Sequence, residues 1–180
     1  MKQISTVGLA LVLCPFSLFA QNGTDCNVWR PFEYFIGSWQ GHEEGTSGTG
    51  KGSRTYEFIV GEQYLFSKNL SVFEPQEKNP EGETHEDWTF FSYDKNRAKF
   101  IVRQFNSEGF VNHFVLDSLS MDRKGFVFVS ESSENAPPGL RARLRFQIQN
   151  ENEFSEFFEL AFPGKDFTLL LQNHWTRKKD

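Results

Sequence analysis

The 180-residue chain is poor in sulfur, with two cysteines and two methionines. Two cysteines exclude a disulfide-rich scaffold and a four-cysteine zinc cluster. A basic surplus is also missing: 19 Lys and Arg stand against 24 Asp and Glu, a formal charge of −5. Phosphate binding needs the opposite balance, so nucleic acid is not the expected main partner. Residues 28–180 contain no repeat, low-complexity block or Pro/Ser-rich linker, and no apolar run long enough for a stable membrane span. They read as a single domain. Aromatic residues, by contrast, are plentiful at 16%, with 21 Phe among them. Together with 24% charged residues they describe a chain that buries a core rather than staying disordered.

Residues 1–20 read as a signal peptide. Lys2 supplies a basic start, Val7 to Leu13 an apolar stretch, and Ala20 a small residue before Gln21. The expected location is therefore outside the cytoplasm, periplasmic or extracellular. Cleavage leaves about 160 residues, removes Lys2 and moves the formal charge from −5 to −6. It also removes Cys14, so Cys26 becomes the single thiol of the mature chain, in a polar lead-in over 21–27.

From Gly37 onward the dominant hydrophobic period is two, the strand signal. Val28 to Ile36 reads as a short helix or turn that precedes it. Tyr56, Phe58 and Val60 recur at every second position, with Glu57 between the first two, and Leu140, Ala142, Leu144, Phe146 and Ile148 alternate with Arg141, Arg143, Arg145 and Gln147. Turn signals recur at Gly61-Glu62, Tyr93–Arg97, Asn106–Gly109, Asp122–Gly125 and Phe162–Lys165. Gly45, Gly48, Gly50 and Gly52, interleaved with Thr, Ser and Lys, suggest a flexible hairpin. The count is roughly nine or ten strands joined by short connections, the pattern of an up-and-down meander. A sheet of that size curls closed to remove its edges. The expected fold is all-β, a closed antiparallel β-barrel whose interior is either packed by side chains or kept as a cavity.

The segment Gly37-Ser-Trp39, before the first strand, resembles the Gly-x-Trp opening of calycins, the lipocalin-like barrels. The resemblance implies a Trp at the closed base, packed under a cation from the last strand, here Arg177 or Lys178. Gly37-Ser-Trp-Gln-Gly41, His85-Glu-Asp-Trp-Thr-Phe-Phe91 and Gln172-Asn-His-Trp-Thr-Arg177 together resemble the nitrobindin-like haem-binding barrels. That likeness implies a ferric haem with His174 as iron ligand, and a ligand-binding role for the protein. Alternation along the last strand reads differently: Phe167, Leu169, Leu171 and Trp175 share one face, and His174 falls on the other with Leu170 and Gln172.

The remaining constellations point to binding rather than catalysis. None of the four His residues, at 42, 85, 113 and 174, sits in a paired metal-ligand spacing. His85-Glu86-Asp87 is either a cavity-mouth His held by carboxylates or a solvated strand start. His42 borders the Gly-rich strand within reach of the barrel mouth, and His113 reads as a wall or surface residue. Arg141, Arg143 and Arg145 share one face and either read an anionic ligand, as Arg forks do in fatty-acid-binding barrels, or form an outer face paired with Glu153, Glu156 or Glu159. Arg103 is a further candidate for an internal charge. Ser130–Glu134 carries hydroxyls and acids without a nucleophile elbow, and Glu43 and Glu44 are adjacent, so they point to opposite faces of a strand. Three readings stay open: a barrel binding haem or another small apolar ligand, a haem-free carrier of an apolar anion, and a ligand-free structural or interaction barrel.

Overall fold

The two-residue period becomes ten antiparallel strands in the computed structural model, which describes residues 27–179. The signal-peptide reading of 1–20 and nearly all of the lead-in lie outside these residues. A 3-10 helix at Arg30–Phe35 precedes β1 (Gly37–Gly45), β2 (Gly48–Ile59), β3 (Tyr64–Phe73), β4 (Glu83–Asp94) and β5 (Lys99–Asn106). The second half comprises β6 (Val111–Leu119), β7 (Gly125–Glu134), β8 (Arg141–Asn150), β9 (Glu153–Ala161) and β10 (Thr168–Arg177). Each strand pairs with its sequence neighbours, and β1 closes on β10, from Trp39 opposite Arg177 to Gly45 opposite Leu171. Closure leaves no free edge, which removes the aggregation hazard of a ten-strand sheet. Among the described residues no helix is long and apolar enough to cross a membrane.

One end of the barrel is plugged. The 3-10 helix and its lead place Trp29, Phe32 and Phe35 under the strands. Phe32 packs against Phe100 and Phe126 at ring-centroid distances of 4.6 and 5.1 Å, and Trp29 against Phe100 at 5.3 Å. Trp39 is fully buried on this floor, donates its indole N–H to the Phe35 carbonyl at 2.7 Å, and lies edge-on to Phe154 at 4.7 Å. The Arg177 guanidinium sits 4.2 Å from the centroid of the Trp39 ring. A second aromatic layer follows, with Tyr56, Phe91, Phe114, Phe128, Phe146 and Trp175 all buried. The lower half of the lumen is thus filled by edge-to-face aromatics, the arrangement their quadrupoles favour.

The Gly-rich segment forms the expected hairpin, with Gly45 paired to Gly48 and Thr46 and Ser47 as the turn between β1 and β2. Its glycines make room for rings. Gly41 and Gly52 are opposite each other, and a Cβ on either would lie 2.6 Å from the Trp175 indole. A Cβ on Gly50 would lie 2.7 Å from Phe73. The acidic loop between β3 and β4 docks back on this hairpin, because the Gln76 side chain exchanges two 2.8 Å hydrogen bonds with the Thr49 backbone.

Candidate functional site

Above the aromatic layers the inward positions change character. Following each strand toward the open end, Tyr56 gives way to Arg54, Leu65 and Ser67 to Asn69 and Ser71, and Phe91 and Thr89 to Asp87 and His85. On the other side Phe154 gives way to Glu156, and Trp175 to Asn173. These polar side chains, with Glu43, surround an open chamber of about 210 Å³ whose apolar walls include Phe73, Leu144, Phe158 and Leu171.

At the chamber's base Arg54 and Glu156 form an ion pair at 2.8 Å, with side chains 7% and 6% exposed. Arg54 stacks 4.2 Å over Trp175 and donates to Asn69 Oδ1 at 3.1 Å and to the Tyr56 hydroxyl at 3.2 Å. Burial works against the Arg54 charge, but the Glu156 and Tyr56 partners outweigh it and hold the guanidinium firmly protonated. Glu156 Oε2 also accepts from Asn173 Nδ2 at 3.1 Å and Trp175 Nε1 at 3.0 Å. Glu43, 2% exposed, accepts from Ser71 Oγ at 2.6 Å. Burial raises its pKa, Ser71 and Arg54 oppose that, and the charges of Glu156 and Asp87 add to it. Among the described residues two buried side-chain atoms have no hydrogen-bond partner, Asp87 Oδ1 and Asn173 Oδ1, and both residues line this chamber.

At the rim His85 stands between two carboxylates, with Nε2 2.9 Å from Asp87 and Nδ1 2.6 Å from Glu108. This is the cavity-mouth arrangement, not a solvated strand start. Burial disfavours the imidazolium, but Asp87 and then Glu108 outweigh it and raise the pKa to about 9 from 6.5. Because the folded-state value lies above the unfolded one, the stabilisation is complete below pH 6.5 and is lost as the pH rises through about 9. It amounts to about 2–3 kcal/mol after allowance for the partly exposed Glu108. Urea unfolding of wild type and His85→Gln should therefore differ by that amount at pH 6 and converge by pH 10. A gap that stays constant with pH would remove the charge from the account.

The other sequence candidates lie elsewhere. Arg141, Arg143 and Arg145 are on the outer face of β8, in antiphase to the buried Ala142, Leu144 and Phe146. Glu159 takes Arg143 Nε at 2.5 Å and Arg145 Nε at 3.0 Å, and Phe167 lies beneath Arg141 and Arg143. The row is therefore an outer charge network and not a ligand-reading fork. Arg103 is exposed and donates outward to Ser92 Oγ at 3.1 Å, so it is not an internal charge. His113 pairs with Glu134 at 3.0 Å on the outside, and His42 is exposed beside Glu44 rather than at the mouth. His174 is exposed and pairs across the sheet with His42 and Ser155, while its neighbours Asn173 and Trp175 are buried in the barrel. A bulge between Leu169 and Leu171 lies upstream of it. The bulge turns Leu169 outward, away from the face shared by Leu171 and Trp175, and leaves His174 outside as well.

These residues do not fit a haem. A haem iron needs an axial donor with a free lone pair. His174 points away from the lumen, and both ring nitrogens of His85 are engaged by carboxylates. The chamber presents Glu43, Asp87 and Glu156 where a porphyrin would need an apolar slot, and its volume is below the ~300–1,000 Å³ usual for sites of larger ligands.

The residues that build the chamber carried a signal in the sequence. Arg54 is in phase with Tyr56 and Phe58, Asn69 with Leu65 and Phe73, and Asn173 with Leu171 and Trp175. A polar residue in register with flanking apolar ones belongs to the inner face.

No protein-family model matches the chain, and no curated protein matches it in sequence. Among solved structures, the crystal structure of Rv2717c from M. tuberculosis superposes with a TM-score of 0.61 at 14% identity, covering 84% of this chain and 97% of that one. A redesigned β-barrel gives a TM-score of 0.44 at 10% identity, over 83% and 96% of the two chains. The likeness to Rv2717c, at that identity, is one of fold: a β-barrel.

Proposed function

We propose that this chain is an exported small-ligand-binding β-barrel whose ligand occupies the polar chamber at the open end. The observation that carries this reading is the division of the lumen. Rings fill one half, while the other keeps about 210 Å³ open among buried polar side chains. A barrel meant only as a structural unit would close both halves with apolar side chains, because buried polar groups cost stability unless each is paired. The calycin-like base, Trp39 under Arg177, supports the same reading, since it closes one end and leaves the other as an entrance. Export rests on the basic, apolar and small-residue run of residues 1–20.

The test is native mass spectrometry of the protein isolated from its own cells. The reading expects a small-molecule adduct that is released on denaturation and carries no haem absorption. A hemin titration should likewise give no Soret shift that disappears in His174→Ala or His85→Ala. A His-dependent Soret band would replace this reading with a haem protein.

A further inference from the structure

We infer that the ligand of this chamber is a small organic cation, an ammonium or amidinium group on an apolar body about the size of a benzene ring. The inference rests on the proposal that the chamber is a ligand site, and it follows from what the walls lack.

The first observation is two acceptors without donors. Asp87 and Asn173 are 6% and 4% exposed, yet Asp87 Oδ1 and Asn173 Oδ1 have no hydrogen-bond partner. The orientation of Asn173 is fixed by its neighbour: its Nδ2 donates to Glu156 Oε2 at 3.1 Å, so the oxygen must face away from that carboxylate. The second Asp87 oxygen is already shared, taking Asn69 Nδ2 at 3.3 Å and His85 Nε2 at 2.9 Å. β10 and β4 are separated around the barrel by β1, β2 and β3, so the two unpaired acceptors lie within different walls of the chamber, just behind its open surface. Their uncompensated lone pairs add to the negative potential of the chamber wall, which favours a ligand that carries positive charge.

The second observation is the charge balance. Glu43 on β1, Asp87 on β4 and Glu156 on β9 are buried beside the chamber, and Glu83 and Glu108 stand at its rim. Two cationic side chains face these five carboxylates, Arg54 and His85. Both are engaged: Arg54 by Glu156, Asn69, Tyr56 and the Trp175 ring, and His85 by Asp87 and Glu108. An incoming carboxylate would meet surplus negative charge, whereas an ammonium would relieve it. The mutual repulsion of Glu43 with Glu156 and Asp87, which adds to burial in raising Glu43's proton affinity, is the strain that a bound cation removes.

The third observation concerns the body of the ligand. Phe73, Leu144, Phe158 and Leu171 supply apolar wall between the polar groups. An engineered cavity of about 150 Å³ accepts benzene, so about 210 Å³ admits one ring with a short polar arm.

Three probes of nearly one shape and different charge decide the matter: benzylammonium, benzyl alcohol and benzoate, titrated calorimetrically at neutral pH and low ionic strength. Benzylammonium is expected to bind at least tenfold more tightly than benzyl alcohol, and benzoate not to bind measurably. Asp87→Asn and Glu43→Gln should each bring the ammonium and alcohol affinities closer together while the far-UV circular dichroism is unchanged. If either variant fails to fold, the wild-type ranking decides alone. Equal affinity for ammonium and alcohol, or preference for benzoate, overturns the cation and leaves the chamber as a ligand site. Failure of all three probes to bind overturns the cation, and the ligand site falls with it only if native mass spectrometry also finds no adduct.

Discussion

Replacing Glu156 by alanine is expected to lower the unfolding free energy by about 3–5 kcal/mol, the cost of breaking a buried ion pair from one side. Three buried donors lose their acceptor at once: Arg54 Nη1 at 2.8 Å, Asn173 Nδ2 at 3.1 Å and Trp175 Nε1 at 3.0 Å. Arg54 is only 7% exposed, so its guanidinium loses its carboxylate partner at a largely desolvated position. The damage comes from the stranded charge more than from the lost attraction, so removing both charges should cost less than removing one. In Arg54→Met with Glu156→Gln the amide oxygen still accepts from Trp175 and Asn173, and Met fills the space over the indole. That double variant should lie closer to wild type in urea midpoint than Glu156→Ala does. Equal losses in the single and double variants would show that the pair is held by packing rather than charge.

Gly41→Ala is expected to destabilise the barrel by about 3 kcal/mol, at the upper end of overpacking costs. One added methyl would lie 2.6 Å from two carbons of the Trp175 ring. The ring cannot retreat. It is fully buried, its N–H is held by Glu156, Arg54 covers one face, and Phe154 stacks nearby at 6.2 Å. Strand geometry is not at issue, since Gly41 does not have a positive φ. The cost should therefore depend on the indole, and in a Trp175→Leu background the same Gly41→Ala change should cost much less. A penalty that persists without the indole would place the need for glycine in the backbone instead.

Much of the architecture is legible in residue order. The period of two and the turn signals locate the strands, and closure follows from their number. The Gly-x-Trp segment and Arg177 meet at the floor. The chamber was less visible because polar residues invite an outward reading, and Arg54, Asn69 and Asn173 escape it only when their phase with neighbouring aromatics is weighed. The same phase argument sends Arg141, Arg143 and Arg145 outward, since Ala142, Leu144 and Phe146 alternate with them without a break. Two features leave no such trace. On β9 apolar rings occupy both phases, Phe154 and Phe158 on one and Phe157 on the other, so the sequence does not separate inward Glu156 from outward Glu159. On β10 the bulge between Leu169 and Leu171 breaks the alternation in the backbone, which composition does not record.

The described residues form a densely packed aromatic base carrying a polar cup. The rings hold the strands in register, the Arg54–Glu156 pair seals the base of the cup, and His85 with its two carboxylates braces the rim. The cup is the claim on which the functional reading stands. Its most direct test is NMR titration of the protein with benzylammonium, following the side-chain amides of Asn69 and Asn173 and the indole N–H of Trp175. The account predicts that these inward signals shift together and saturate, while His42, His174 and the Arg141–Arg145 face remain still. Shifts confined to the outer face, or none with benzylammonium, benzyl alcohol and benzoate in turn, would contradict it.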